Sequence, residues 1–191
     1  SALRTVAGSL NKIANDLRLL ASGPRNGLGE IEQPENQPGS SIMPGKINPV
    51  VAESVNQVHK QVLGNDTAVS AGAARGEIDL NLYKPVLAYN FLQSASLIAN
   101  SAEVFGERFV GKLEANADYC RKRVDQSMAL ATALNPAIGY DAASKVAKKA
   151  LEEGKSVREV AVGEGYLSEA EADEVLDPRA MTERVILGAD E

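Results

Sequence analysis

The feature that most constrains the fold is an uncharged helical segment that begins at Pro85 and runs to about residue 109. Between Pro85 and Ala102 there is no charged residue, and apolar side chains recur on every side of the helix rather than along one stripe. A helix that is apolar all round has to be covered all round. Its asparagine, glutamine and serine residues argue against a membrane span. We therefore expect a core helix whose cover comes partly from further helices or from neighbouring subunits.

Composition favours helix-on-helix packing and argues against several functions. Apolar residues make up 44% of the 191 residues and aromatic residues only 4%. The net charge of -6 at pH 7, without a dense basic run, argues against a nucleic-acid partner. The single cysteine, Cys120, excludes an internal disulfide and is typical of a reducing compartment. We expect no membrane partner and a cytoplasmic location.

Apolar periodicity divides the chain into long helices followed by short ones. It predicts long helices over residues 1–21, 50–72 and 85–109. A long irregular segment, residues 23–49, separates the first two, and structureless segments of this length are usually functional. The chain begins at Ser1 rather than at a methionine, and the helical periodicity of its apolar residues is already present there. We therefore expect the chain to be a fragment of a longer protein.

Beyond Gly111 the predicted helices become short. One helix is expected over 116–130, a break at Asn135-Pro136, and a lysine-rich helix over 141–153 that ends at Gly154. Two Ser-x-x-Glu sequences predict capping boxes, in which serine and glutamate satisfy the first N–H groups of a helix. Their residues are Ser156 with Glu159 and Ser168 with Glu171.

Residues 39–49 contain the residue types of an anion site. Glycines at 39 and 45 permit backbone angles that other residues avoid. Lys46 offers charge and Asn48 directional donors, so the two can hold one carboxylate, and the start of the next helix adds positive potential. Ser40 and Ser41 could donate to a substrate or transfer a proton. On composition alone, a Gly/Ser/Pro loop without function is the alternative.

The same segment resembles the signature of the fumarase/aspartase superfamily, which reads GSSxMxxKxN. Every specified position matches: Gly39, Ser40, Ser41, Met43, Lys46 and Asn48. Further segments resemble the C-terminal portion of class II fumarate hydratases: Gly64–Asp66, Glu77–Asn81, Lys84–Ser94, Ala133–Asp141 and Gly165–Leu167.

The resemblance implies an all-α fold. Residues 1–110 would be the C-terminal part of a central helical-bundle domain, with the mobile signature loop at 39–49. Residues 111–191 would be a small C-terminal helical domain. Members of this family are homotetramers whose long helices form one central bundle, which would cover the uncharged helix.

The resemblance also implies reversible hydration of fumarate to (S)-malate through an aci-carboxylate intermediate, without cofactor or metal. By position, Ser40 resembles the serine that takes the proton from carbon. Glu53 resembles the carboxylate that orients the family's catalytic histidine on another subunit. The substrate-binding positions are Ser41, Lys46, Ile47 and Asn48.

The family's active sites combine segments from three subunits, and the segment with that histidine has no counterpart here. The only histidine, His59, lies six residues after Glu53 and points to a different helix face, so we interpret it as structural. We expect the isolated chain to be inactive. The alternatives are an aspartate ammonia-lyase of the same superfamily and a non-catalytic helical assembly module. Asp79 and Asn81 would either support the loop or anchor a helix connection.

Overall fold

The structure, a computed structural model, describes residues 2–23, 25–39 and 42–182. These residues form an all-α fold with one small antiparallel sheet, which confirms the predicted fold class. The helices are α1 Ala2–Leu20, α2 Val50–Ala73, α3 Lys84–Arg108, α4 Ala117–Asp125, α5 Asn135–Ile138, α6 Tyr140–Glu153, α7 Val157–Gly163 and α8 Glu169–Val175. The strands are β1 Ile31–Glu32 and β2 Glu114–Ala115. Short 3₁₀ helices lie at Val110–Lys112, Met128–Leu134 and Ala180–Thr182.

The chain divides into two compact units, Ser1–Asn116 and Ala117–Glu191. The first contains the three long helices and the sheet, and the second contains the short helices. The domain boundary expected after residue 110 lies a few residues before this division and stays a prediction.

In the first unit, α2 packs against both α1 and α3. Small side chains at the contacts let the helix backbones approach closely, and two rings stack beside them, Phe105 and Phe109, with centroids 5.6 Å apart. The two apolar clusters are built from Ala14, Ala52, Val55, Phe105 and Phe109, and from Ala7, Val62 and Ile98.

A buried polar network joins α2 to α3. Asn65, only 2% exposed, donates to the hydroxyl of Ser94 at 3.0 Å and to Oε1 of Gln93 at 2.9 Å. It accepts a hydrogen bond from Gln61 at 2.9 Å. Burying a polar group is costly unless it is hydrogen-bonded. Because these hydrogen bonds form at only one axial register of α3 along α2, the network favours that register.

One side of α3 remains uncovered in the described chain. Four large apolar side chains on this side are exposed, Val86, Tyr89, Leu92 and Val104, and Phe91 is exposed on another side of the helix. Exposed apolar patches on a helix commonly mark an interaction surface. This agrees with the expectation that the chain's own helices cover α3 only in part.

The described part of the second unit, residues 117–182, has a single apolar core. Its buried members are Leu130, Leu134, Ala143, Val146, Ala150, Val157, Val160, Ala161, Leu167, Ala172 and Leu176. Both predicted capping boxes form, at the starts of α7 and α8. Gly154 ends α6 in the left-handed conformation, at φ 65°, as glycine after a helix predicts.

The single helix expected over 116–130 is wrong. Helix α4 ends at Asp125, and the hydroxyl of Ser127 then accepts a hydrogen bond from the N–H of Ala129 and caps a 3₁₀ helix. The expected break at Asn135 is also wrong, because Pro136 lies in the first turn of α5, where a missing N–H costs nothing. Within the described residues, no helix is long and apolar enough to cross a membrane.

Candidate functional site

The segment between α1 and α2 is anchored well before it reaches the signature residues. After α1 the chain forms a loop that closes on Ser22. The carbonyl of Ser22 accepts a hydrogen bond from the N–H of Gly29, and its hydroxyl accepts one from the N–H of Leu28. Strand β1 then pairs antiparallel with β2, and Asn116 donates to the carbonyl groups of Gly29 and Glu30. Sequence reasoning missed this sheet, because strands of two residues show no apolar alternation.

The signature segment contains a tight turn at Met43–Lys46. The N–H of Lys46 donates to the carbonyl of Met43 at 3.1 Å, with Pro44 and Gly45 at the two central positions. Gly45 has φ 77°, the left-handed value that a type II turn requires at its third residue. The sequence-based expectation for Gly45 is therefore confirmed.

Gly39 serves a different purpose from the one expected. Its φ is outside the left-handed range, but a Cβ at this position would clash with the carbonyl oxygen of Lys46. The two ends of the segment thus meet backbone to backbone, and only glycine permits that approach. Gln33 donates to the carbonyl of Ile47 at 3.2 Å and so holds the segment that follows Lys46 close to this contact.

Three predicted site residues lie directly after this contact. Lys46 and Ile47 are exposed, Asn48 is half-buried, and Lys46 has no ion-pair partner among the described residues. Ser40 and Ser41 lie outside the described residues. A cation, an apolar side chain and an amide therefore occupy three consecutive positions just before α2.

The start of α2 is open to an anion. The helix begins at Val50, with Pro49 at its N-cap position and no side-chain hydrogen bond to the first N–H groups. Uncapped N–H groups at the start of a helix of this length carry partial positive charge. The start predicted for this helix, residue 50, is confirmed.

Glu53 lies in the first turn of α2, and its side chain is half exposed. Its Oε1 lies 3.6 Å from Nη2 of Arg18, in the last turn of α1. Nη1 of Arg18 donates to Oδ1 of Asn56 at 3.0 Å, and Asn56 donates to Oδ1 of Asn11 at 2.9 Å. Sequence reasoning missed Arg18, because pairing across 35 positions leaves no local pattern.

His59 fits the structural interpretation. It is half-buried on α2, and its Nδ1 is buried without a hydrogen-bond partner among the described residues. Burial lowers the pKa of His59 below its ordinary value of 6.5, and the charges of Lys60 and Arg4 lower it further. The imidazole is therefore neutral at pH 7.

Asn81 anchors the connection between α2 and α3. Its amide donates to the carbonyl of Gly72 at 3.1 Å, and its Oδ1 accepts the N–H of Tyr83 at 2.7 Å. Of the two roles considered for this residue, the contacts favour the anchor. Across the described ranges, no group of three or more His, Cys, Asp or Glu side chains is arranged to hold a metal ion.

Comparison with known families and sequences gives consistent matches along the chain. Residues 1–64 match a family described as "Lyase", and residues 130–183 match one described as "Fumarase C C-terminus". A "Fumarate hydratase class II" of Halobacterium salinarum is 77% identical over 174 residues, which are 91% of this chain and 37% of the relative. One of Oceanobacillus iheyensis is 51% identical over 181 residues, covering 95% of this chain and 39% of that protein. The chain thus spans less than half the length of these relatives.

Solved structures agree. A fumarate lyase:delta crystallin from Brucella melitensis bound to cobalt superimposes with a TM-score of 0.91 and 50% identity, over 95% of this chain and 39% of that one. The recombinant class II fumarase from Schistosoma mansoni gives a TM-score of 0.85 and 39% identity, over 94% of this chain and 37% of that one.

Proposed function

Since the chain belongs to the class II fumarate hydratase family, we propose that it supplies one segment of an active site that interconverts fumarate and (S)-malate. The observation that carries this proposal is the arrangement of residues 39–48, in which the backbones of Gly39 and Lys46 meet. It presents Lys46 and Asn48 immediately before the uncapped start of α2. The N–H of Val50 donates to the carbonyl of Asn48 at 2.9 Å, so the groups suited to bind a dicarboxylate are the cation, the amide and the next backbone N–H groups of α2.

These groups would act most strongly on the reaction intermediate. Removing a proton from the carbon beside a carboxylate places additional negative charge on that carboxylate. The first N–H groups of α2 are held by the helix before the reaction, so they can stabilise this charge without reorganising, and Lys46 and Asn48 add a cation and an amide beside them. Ile47 would limit the access of water from its position between them.

The remaining roles in this proposal follow the family pattern. Ser40 takes the proton from carbon, and Ser41 donates to the substrate. Glu53 orients a histidine contributed by another subunit, so the site is complete only in an assembly. The reaction uses no cofactor.

We further propose that the working form is a homotetramer in the cytoplasm. The exposed apolar side of α3 supports assembly, because it needs cover that the described chain does not supply. A single cysteine is compatible with the cytoplasm. In a tetramer, helices of neighbouring subunits would cover this side of α3.

A hybrid enzyme tests the function. This chain would replace the matched segment of the Halobacterium salinarum relative, and fumarate formation from malate would be followed by ultraviolet absorbance. We expect activity comparable to that of the unaltered relative, and none from the isolated chain. A folded but inactive hybrid contradicts the proposal, and faster turnover of aspartate than of malate would indicate an ammonia-lyase instead.

Substitutions in the same hybrid separate the roles of two residues. Lys46→Ala should raise KM and lower kcat, because the cation binds both substrate and intermediate. Ser40→Ala should lower kcat strongly with little change in KM, as expected of a group that acts in the transition state. Lys112→Ala, another exposed lysine of the first unit, is the control. Unaltered kinetics of Ser40→Ala would remove that residue as the base.

A further inference from the structure

Arg18 contacts two side chains on consecutive turns of α2. Its Nη1 donates to Oδ1 of Asn56 at 3.0 Å, and its Nη2 lies 3.6 Å from Oε1 of Glu53. Residues three apart on a helix lie on the same face, so a single guanidinium reaches both. This is the contact that the described residues give to the Glu53 carboxylate.

The Asn56 side of this arrangement is rigid. Asn56 is buried, and its Nδ2 donates to Oδ1 of Asn11 at 2.9 Å, an atom that also accepts from Lys60 at 2.9 Å. Since its amide nitrogen is engaged by Asn11, the amide oxygen of Asn56 has to face Arg18. A guanidinium is planar with donors in a fixed fork. Fixing one edge on Asn56 therefore determines where the other edge points.

We propose that Arg18 is a positioning residue for Glu53, an inference that rests on the proposed function. The Glu53 side chain is half exposed and would otherwise sample several rotamers. Arg18 engages one carboxylate oxygen, Oε1, and leaves Oε2 without a hydrogen bond to the described residues. In this proposal Oε2 stays available as an acceptor while Arg18 restricts the carboxylate. That is what orienting an imidazole N–H on another subunit requires.

The competing explanation is that Arg18 only joins α1 to α2. Lys60 offers a matched comparison, because it also makes a cation–amide contact between these two helices, to Asn11, but does not contact Glu53. A purely structural role predicts that removing either cation has the same effect. A positioning role predicts that only Arg18 changes the chemical step.

The experiment uses the hybrid enzyme described above. Arg18→Gln should lower kcat about two- to fivefold, as expected for the loss of one part-exposed ion pair, with KM unchanged. Lys60→Gln should leave both constants unchanged. Arg18→Lys keeps the charge but loses the fork, so its kcat should fall between those of Arg18→Gln and the unsubstituted hybrid. Unchanged kcat in Arg18→Gln, or equal losses in Arg18→Gln and Lys60→Gln, would overturn the proposal.

A second comparison isolates the coupling to Glu53. If Arg18 acts through Glu53, adding Arg18→Gln to a Glu53→Gln hybrid should cause no further loss of kcat. Equal losses in both backgrounds would overturn the proposal, because independent contributions are additive.

A crystal structure of the Arg18→Gln hybrid tests the geometry without reference to activity. The Glu53 carboxylate is expected to occupy more than one rotamer in this variant, and a single unaltered rotamer overturns the positioning role. An unsubstituted hybrid that lacks activity would count against the proposed function, whereas this rotamer test would still decide the role of Arg18.

Discussion

The two compact units of this chain reach stability by opposite routes. In the first unit, long helices bury two apolar clusters and a polar network, while five large apolar side chains of α3 stay exposed. In the second, the short helices of residues 117–182 enclose one core, and the described members of this core are apolar. The second unit therefore encloses an apolar core of its own, with scattered exposed side chains such as Leu151, whereas the first leaves several large apolar side chains of one helix exposed.

The starts of individual helices differ as well. Helices α7 and α8 begin with complete capping boxes, so their first N–H groups are satisfied within the chain. Helix α2 begins without a side-chain cap, and the candidate site lies there. An unsatisfied helix start costs stability, and here it coincides with residues suited to bind an anion.

The largest effect should come from the core of the second unit. Leu134 is fully buried there, so Leu134→Ala should lower the free energy of unfolding by about 2–5 kcal/mol through lost burial and a cavity. Leu151→Ala is the control, since that side chain is 73% exposed. Chemical denaturation measures both variants. Similar losses for the two would show that this unit is not closed around Leu134.

The exposed side of α3 gives the next largest effect. Leu92 is 63% exposed, and Leu92→Gln should weaken self-association by about 1.5–3 kcal/mol, roughly ten- to a hundredfold in dissociation constant. Leu151→Gln, in the second unit, should leave association unchanged. Sedimentation over a range of concentrations measures both. A wild-type chain that remains monomeric at every concentration would contradict the contrast between the units.

The polar contact between α2 and α3 is the third test. Asn65→Ala leaves the buried hydroxyl of Ser94 without this partner, so it should cost about 1–3 kcal/mol of unfolding free energy. Gln57→Ala, at an exposed position of the same helix, is the control. If Asn65→Ala is as stable as wild type, the network does not help to hold α2 against α3.

The smallest effect concerns pH and the capping box of α7. The backbone N–H and then the hydroxyl of Ser156 donate to the Glu159 carboxylate and hold the pKa of Glu159 below its ordinary value of 4.5. A lowered pKa stabilises the fold above pH 4.5, and this contribution is lost as pH falls through the folded-state value. Wild type should therefore exceed Glu159→Gln in unfolding temperature at neutral pH, with the difference vanishing in acid. A difference independent of pH would exclude this origin.

Much of the fold could be predicted from local patterns. Apolar periodicity located the three long helices. Their ends were predicted to within a few residues because proline or glycine lies near most of them. The capping boxes were predictable because serine and glutamate three positions apart satisfy backbone groups within a single turn. The helix over 116–130 was wrong because the cap at Ser127, which interrupts it, resembles an ordinary helical serine in sequence.

Only part of the candidate site could be predicted from local patterns. Lys46 and Asn48 could be named because they belong to one continuous stretch with a recognisable pattern. Arg18 could not, because its contacts with Glu53 and Asn56 arise only when α1 packs against α2. Gly39 was singled out for backbone freedom, whereas its actual constraint is the close approach of Lys46.

The sequence alone thus determined which long segments become helices, where capping boxes form and which loop carries the anion-binding residue types. These properties depend on residues within one or two turns of each other, so local physical chemistry decides them. Tertiary structure decided that Gly39 meets Lys46, that Arg18 reaches Glu53 and that one side of α3 stays uncovered. Those features join or expose residues far apart in the chain, and only the packing of whole helices determines such distances.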